Sequence, residues 1–156
     1  MLNFFKKKNN ESWESIKASG KAFPKTKISI VSFTGEDDEH YTAWINIGYK
    51  NYPYKEYCPI LGLLNVDYED MNGNDIGEIQ EYFDKELNKA CVCHLISRVP
   101  VEGGIEILFY IEDLDKINDK LEEIYASEDL LVDFGCSLRT DADWETIEDM
   151  MEQYSS

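Results

Sequence analysis

"ACVCHLISRVPVEGGIEILFYI", residues 90–111, holds two runs of β-branched, aromatic and other apolar residues on either side of a Pro-Val-Glu-Gly-Gly turn. Such runs, bounded by turn-forming residues, predict a β-hairpin over 90–99 and 105–111. On both sides of it the apolar period changes to that of a helix. Upstream, Ile76, Ile79, Phe83 and Leu87 recur on one face from Asp75, and Asp75 with Glu78 resembles a capping box. Downstream, Leu114, Ile117, Leu121 and Ile124 do the same from Asp113. Further out, "YCPILGLLNVDY" (57–68) is apolar on both alternating faces, with Ile60, Leu64 and Val66 on one and Leu61 and Leu63 on the other, as a central strand should be. "LLVDFGCSL" (130–138) alternates at Val132, Phe134, Cys136 and Leu138 and predicts the last strand. The order β-α-β-β-α-β makes the fold class α+β: a ferredoxin-like antiparallel sheet with both helices on one face.

The flanking segments are expected to extend this sheet or cover it. Ser12 to Ser19 reads as a short helix ended by Gly20, and 27–33 and 42–49 read as two further strands. A helix is expected after Asp141. Residues 1–10 are expected to be a flexible basic N-terminus, and residues 11–154 a single domain.

The chain has 156 residues, 43% of them hydrophobic, and a formal net charge of −17. The first 27 residues carry seven Lys against two Glu, which leaves eight basic and thirty acidic residues, or −22, for the remainder. An apolar content of this size is that of a folded domain, so the charge implies a negative surface and not disorder. A field of this sign repels nucleic acid and anionic lipid and favours encounter with a basic protein partner. No apolar run approaches the ~18 residues of a membrane span. The N-terminal residues have no secretory pattern, so a cytoplasmic location with reduced thiols is expected.

"TDADWETIEDMMEQY" (140–154) sets a tryptophan among six carboxylates. Asp141 or Asp143 can cap a helix, and Trp144, Ile147, Met151 and Tyr154 then form one apolar stripe, with Glu145, Glu148, Asp149 and Glu152 largely off it. A calcium loop fits the same acids at positions 1, 3, 5, 9 and 12 of an EF-hand, but Thr146 stands where the sharp turn requires Gly. "DMNGNDIGEIQE" (70–81) is a second near match, through Asp70, Asn72, Asn74 and Glu81. It fails at the same point, where Asp75 replaces Gly, and reads as a turn followed by a helix cap.

On a strand, Cys91 and Cys93 point to one face and His94 to the other, so "CVCH" cannot converge on one metal ion. Cys58 and Cys136 complete the four thiols, with no C-x-x-C spacing, and all are expected to act as small core hydrophobes. Walker and dinucleotide-binding motifs are lacking, and neither His40 nor His94 has the spacing of a catalytic triad. The expectation is no catalytic residue, no metal and no cofactor.

Several of these stretches together resemble domain of unknown function family 695. They are Trp13 followed by "GKAFP", "YCPILGLLNVDYEDMNGND", "GGIEILFYIED", and the closing Asp141, Asp143 and Trp144, from about Trp13 to Met151. The resemblance implies a ferredoxin-like domain akin in architecture to the small acidic inhibitor of ribonuclease E, and brings no catalytic residues. The expected function is that of a non-enzymatic binding or regulatory module. Its acidic surface, Glu36, Asp37, Asp38 and Glu39 with Asp141, Asp143, Glu145, Glu148, Asp149 and Glu152, would steer a basic protein. The rivals are an immunity protein against a nuclease toxin, and a small enzyme or small-molecule sensor using an open sheet face.

Overall fold

The computed structural model describes residues 11–154 apart from Asp37, Glu39 and Asn72. The expected basic N-terminus therefore lies outside the described residues. The chain forms helix α1 (Trp13–Ala18), strands β1 (Ile28–Thr34), β2 (His40–Asn46) and β3 (Ile60–Asp67), helix α2 (Ile76–Asn88), strands β4 (Cys93–Val101) and β5 (Gly104–Ile111), helix α3 (Leu114–Ala126), strand β6 (Gly135–Thr140) and helix α4 (Glu148–Tyr154). The six strands make one antiparallel sheet in the order β1-β2-β4-β5-β3-β6. The protein is thus α+β, with a six-stranded antiparallel sheet and four helices among the described residues.

Strand alternation divides the interior into two cores. On one face Ile60, Leu64 and Val66 of β3 and Ile105, Ile107, Phe109 and Ile111 of β5 meet Ile79, Phe83 and Leu87 of α2 and Ile117, Leu121 and Ile124 of α3. The stripes expected for these helices are buried as their spacing requires, except that Ile76 is half-buried and Leu114 is 42% exposed. Asp75 caps α2 by accepting the Gly77 N–H at 2.6 Å, and Asp113 caps α3 by accepting that of Lys116 at 3.1 Å.

On the opposite face Leu61, Leu108 and Tyr110, with Ile45 of β2, are covered by Tyr49, Tyr52, Trp144, Ile147 and Met151, with Trp13 and Tyr154 packed at the edge. The flanking segments therefore do both things that were open to them. β2 pairs with β4 and β1 with β2, which widens the sheet, while the chain between β2 and β3, α1 and α4 close the second face. In consequence β4 is an interior strand and not the edge that a four-stranded unit would make it.

Several boundaries differ from the sequence reading, and three of them bear on the cores. β2 stops at Asn46, because the Asn46 side chain accepts the N–H of Gly48 at 3.0 Å and begins a 3₁₀ turn over Ile47–Tyr49. β6 starts at Gly135, so Val132 and Phe134 belong to the loop before it and fill the helix-side core. β4 begins at Cys93 and not at residue 90, since the Asn88 side chain accepts the Cys93 N–H and donates to the Cys93 carbonyl, both at 3.0 Å, in place of a neighbouring strand. A β-bulge between Leu95 and Ser97 brings Ile96 and Ser97 together towards the second face.

Candidate functional site

The C-terminal segment is built around Trp144, which is fully buried and has left-handed backbone (φ 57°). The expected helix does not include it: a 3₁₀ turn, Glu145–Ile147, follows it, and α4 starts only at Glu148. Its indole stacks on Tyr110 at 4.1 Å and on Tyr52 at 5.1 Å, and its Nε1–H donates to the Cys58 carbonyl at 2.9 Å. The rings and the hydrogen bond hold the residue in a backbone region that L side chains otherwise avoid.

Asp141 differs from the acids grouped with it. It accepts the Tyr110 hydroxyl at 2.6 Å and the backbone N–H groups of Glu145 and Thr146 at 3.1 and 3.2 Å, so it serves as cap and anchor inside the fold. Burial pushes its carboxyl up, but these hydrogen bonds outweigh burial and hold it below the ordinary carboxylate range. Asp143, Glu145, Glu148, Asp149 and Glu152 are exposed, and none is ion-paired among the described residues.

Glu36 and Asp38 are exposed as well, in the β1–β2 loop. That loop lies by the β4–β5 turn, whereas Asp141 follows the end of β6 that pairs with Ile60. The two acidic clusters thus sit at opposite ends of the sheet, roughly 20 Å apart at a strand's rise per residue, and do not form one patch. Asp37 and Glu39 lie outside the described residues.

Between α4 and the turn after β2 lies a cleft of about 530 Å³. Tyr49, Trp144, Ile147 and Met151 give it apolar walls, Glu148, Asp149 and Glu152 line one side, and Lys50 and Lys55 the other. Cation ligation finds no support at 70–81. Asn74 donates its amide to the carbonyls of Met71 at 2.8 Å and Leu131 at 3.3 Å, Asp75 caps α2, and Asn72 lies outside the described residues. Among the described residues no group of three or more His, Cys, Asp or Glu could hold a metal ion.

His94 points away from Cys93, as alternation requires, into a network that the sequence reading missed. The Tyr52 hydroxyl donates to the Ala22 carbonyl, so it can only accept from Nε2–H of His94, at 3.2 Å. Nδ1 is then the acceptor for the Tyr49 hydroxyl at 2.8 Å, and the ring is neutral with its proton on Nε2. Burial pushes the imidazole down to about 3. The available signal was the crowding of four tyrosines into residues 49–57.

Also missed was Glu112, which accepts Trp13 Nε1–H at 2.8 Å, Lys17 at 2.9 Å and the Val92 N–H at 2.9 Å. Of the thiols, Cys91 and Cys93 lie in the helix-side core and Cys58 in the other, while Cys136 on β6 is three strands from β4. Burial pushes Cys136 up to about 11 and Cys58 higher still, which keeps both protonated.

No family model, curated protein or solved structure matches this chain.

Proposed function

We propose that the protein is a non-enzymatic binding module that receives a basic protein segment at the Trp144 cleft. The observation that carries this reading is the arrangement of the C-terminal carboxylates. Glu145, Glu148, Asp149 and Glu152 are exposed, lack ion pairs among the described residues, and are borne by a segment that Trp144 anchors in the core. Charge at the rim speeds encounter, while the cleft offers a concave seat over a packed apolar floor, Tyr49, Trp144, Ile147 and Met151 each being no more than 5% exposed. Lys50 and Lys55 opposite fix the direction of the field across the cleft.

Two further points support the assignment of type. The order β4-β5-β3-β6, with α2 linking β3 to β4 and α3 linking β5 to β6, supports our reading of a ferredoxin-like split βαβ unit within the antiparallel sheet. This unit, and the aromatic, Gly and acidic positions named above, support the proposed kinship to family 695 and the acidic ribonuclease inhibitor. The second sheet face, which a sensor or small enzyme would use, is occupied by the chain's own Tyr52, Trp144 and Met151.

The test is to isolate the basic protein retained by the tagged chain at low ionic strength and to titrate it against the wild type and an E145Q/E148Q/D149N/E152Q variant over a range of salt. The variant should bind at least tenfold more weakly with a shallower salt dependence. Equal affinity and equal salt slope would remove the C-terminal cluster from the interface.

A further inference from the structure

We propose that the free edge of β1 is a self-complementary dimerisation edge, on which a second copy of this chain adds its own β1 antiparallel to make a continuous twelve-stranded sheet.

β1 pairs with β2 on one side and, among the described residues, ends the sheet on the other. Protein sheets commonly guard such an edge with Pro, Lys, an inward charge or a bulge. β1 has none of these: Ile28–Thr34 contains no charged residue and no Pro, and its register with β2 runs unbroken over seven pairs. The opposite edge, β6, carries Arg139. β1 also exposes apolar side chains, Ile30 at 58% and Ile28 at 37%. Both lie on the sheet face of the half-buried Trp44, the cross-strand partner of Ile30.

The register of the added strand follows from the backbone. The Lys27 carbonyl accepts the Ile47 N–H at 2.8 Å, so residues 27, 29 and 31 turn their peptide groups towards β2. The groups of 28, 30, 32 and 34 then point outward. A two-fold axis at Val31 sets Ile28 opposite Thr34 and Ile30 opposite Ser32 of the second copy, giving four pairs and about eight hydrogen bonds. The two Ile30 side chains become diagonal neighbours, joining the Trp44 patches of the two copies on one face.

Charge chooses a second copy over another strand. β1 is entered through Lys25 and Lys27 and left through Glu36 and Asp38, all exposed, and none of the four is ion-paired among the described residues. Antiparallel pairing brings the basic end of each strand alongside the acidic end of the other, at both ends of the interface. The contact is isologous, so it closes as a dimer and does not propagate. It also engages Glu36 and Asp38, leaving the C-terminal carboxylates to the cleft.

The experiment is sedimentation velocity on the full chain at moderate salt across a wide concentration range, with circular dichroism as the control for folding. The wild type should show a concentration-dependent monomer–dimer equilibrium. Ser32→Pro removes only an outward-facing N–H and should abolish the dimer while the fold is kept. K25E/K27E should weaken dimerisation at least tenfold, and adding E36K/D38K to it should restore the dimer. A wild type that stays monomeric, assemblies that grow beyond two copies, a dimer that survives Ser32→Pro, or a charge swap that fails to restore dimerisation would each overturn the proposal.

Discussion

His94 shows what a single residue does when the fold encloses it. Its ring is fully buried and both nitrogens are occupied by tyrosine hydroxyls, while Phe23, 4.8 Å from it between ring centres, lies between it and solvent. Burial holds its folded pKa near 3, against 6.5 when exposed, and Glu112 opposes this to a smaller extent. The unfolded chain therefore binds the additional proton between these values. His94 contributes stability that is complete above pH 6.5 and is lost as pH falls towards about 3. His94→Gln keeps a donor and an acceptor but does not titrate. In urea denaturation series at several pH values, the stability of the wild type relative to this variant should decline below pH 6.5, by on the order of a few kcal/mol in total. A difference that does not change with pH would mean that the ring is already charged or reaches water. That His94 faces away from the thiols was legible from strand alternation. Its partners were not, because Tyr49 and Tyr52 are distant in sequence and arrive through a 3₁₀ turn set by Asn46.

At the scale of elements, the legible parts are those in which one chemical period decides the structure. Beyond their first residues, Ile76 and Leu114, α2 and α3 bury the stripes their spacing defines, and the hairpin of β4 and β5 stands where its turn residues place it. Two of the boundaries that moved are decided by a side chain bonding to backbone: Asn46 ends β2 and Asn88 aligns the start of β4. α1 is a stronger case. Its six residues are too few to be helical alone, and Ser12 supplies one capping bond, to Ser15 N–H at 3.1 Å. What holds it is Trp13 stacked on Tyr57 at 4.7 Å, Ile16 in the interior, and Glu112, which draws in both Trp13 and Lys17. Burial pushes the Glu112 carboxyl up, yet its donors outweigh burial and hold it below its usual value. Glu112→Ala removes an acceptor from Trp13 and Lys17 and leaves the Val92 N–H without its partner, a loss of about 1–3 kcal/mol. Hydrogen exchange should show the amides of residues 13–18 losing protection while those of β3 and β5 keep theirs. Uniform loss across the sheet, or none, would show that α1 is not a separately latched unit.

For the whole molecule, the sequence conveyed one sheet face and not the other. The helix-side core is made by contiguous periodic segments, whereas the second core collects residues from α1, the turn after β2, and α4 around Trp144, which no local pattern joins. The acidic surface was legible in outline, since charge is additive along the chain. Its division into a C-terminal cluster and a β1–β2 loop was not, because the sheet's length separates them. Charge also governs the stability of the molecule as a unit. A chain of formal charge −17 gains little from its few ion pairs, in which Lys21–Glu11 and Lys89–Glu86 each leave the lysine more than half exposed. Self-repulsion among the unpaired carboxylates acts over a Debye length of about 30 Å at 0.01 M salt but only about 10 Å at 0.1 M. Repulsion that spans the domain is therefore screened over that interval, while the close pairs lose little. Thermal unfolding of the Ser32→Pro variant, chosen so that self-association does not enter, should shift upward by a few degrees between these salt concentrations, on the order of 1 kcal/mol. The shift should shrink by roughly 40% in the E145Q/E148Q/D149N/E152Q background, because self-repulsion scales with the square of a formal charge that falls from −17 by the four carboxylates removed. A melting temperature that falls with added salt would mean that favourable local pairs dominate the field, and the C-terminal carboxylates would then be held by cations of the fold and not presented to a partner.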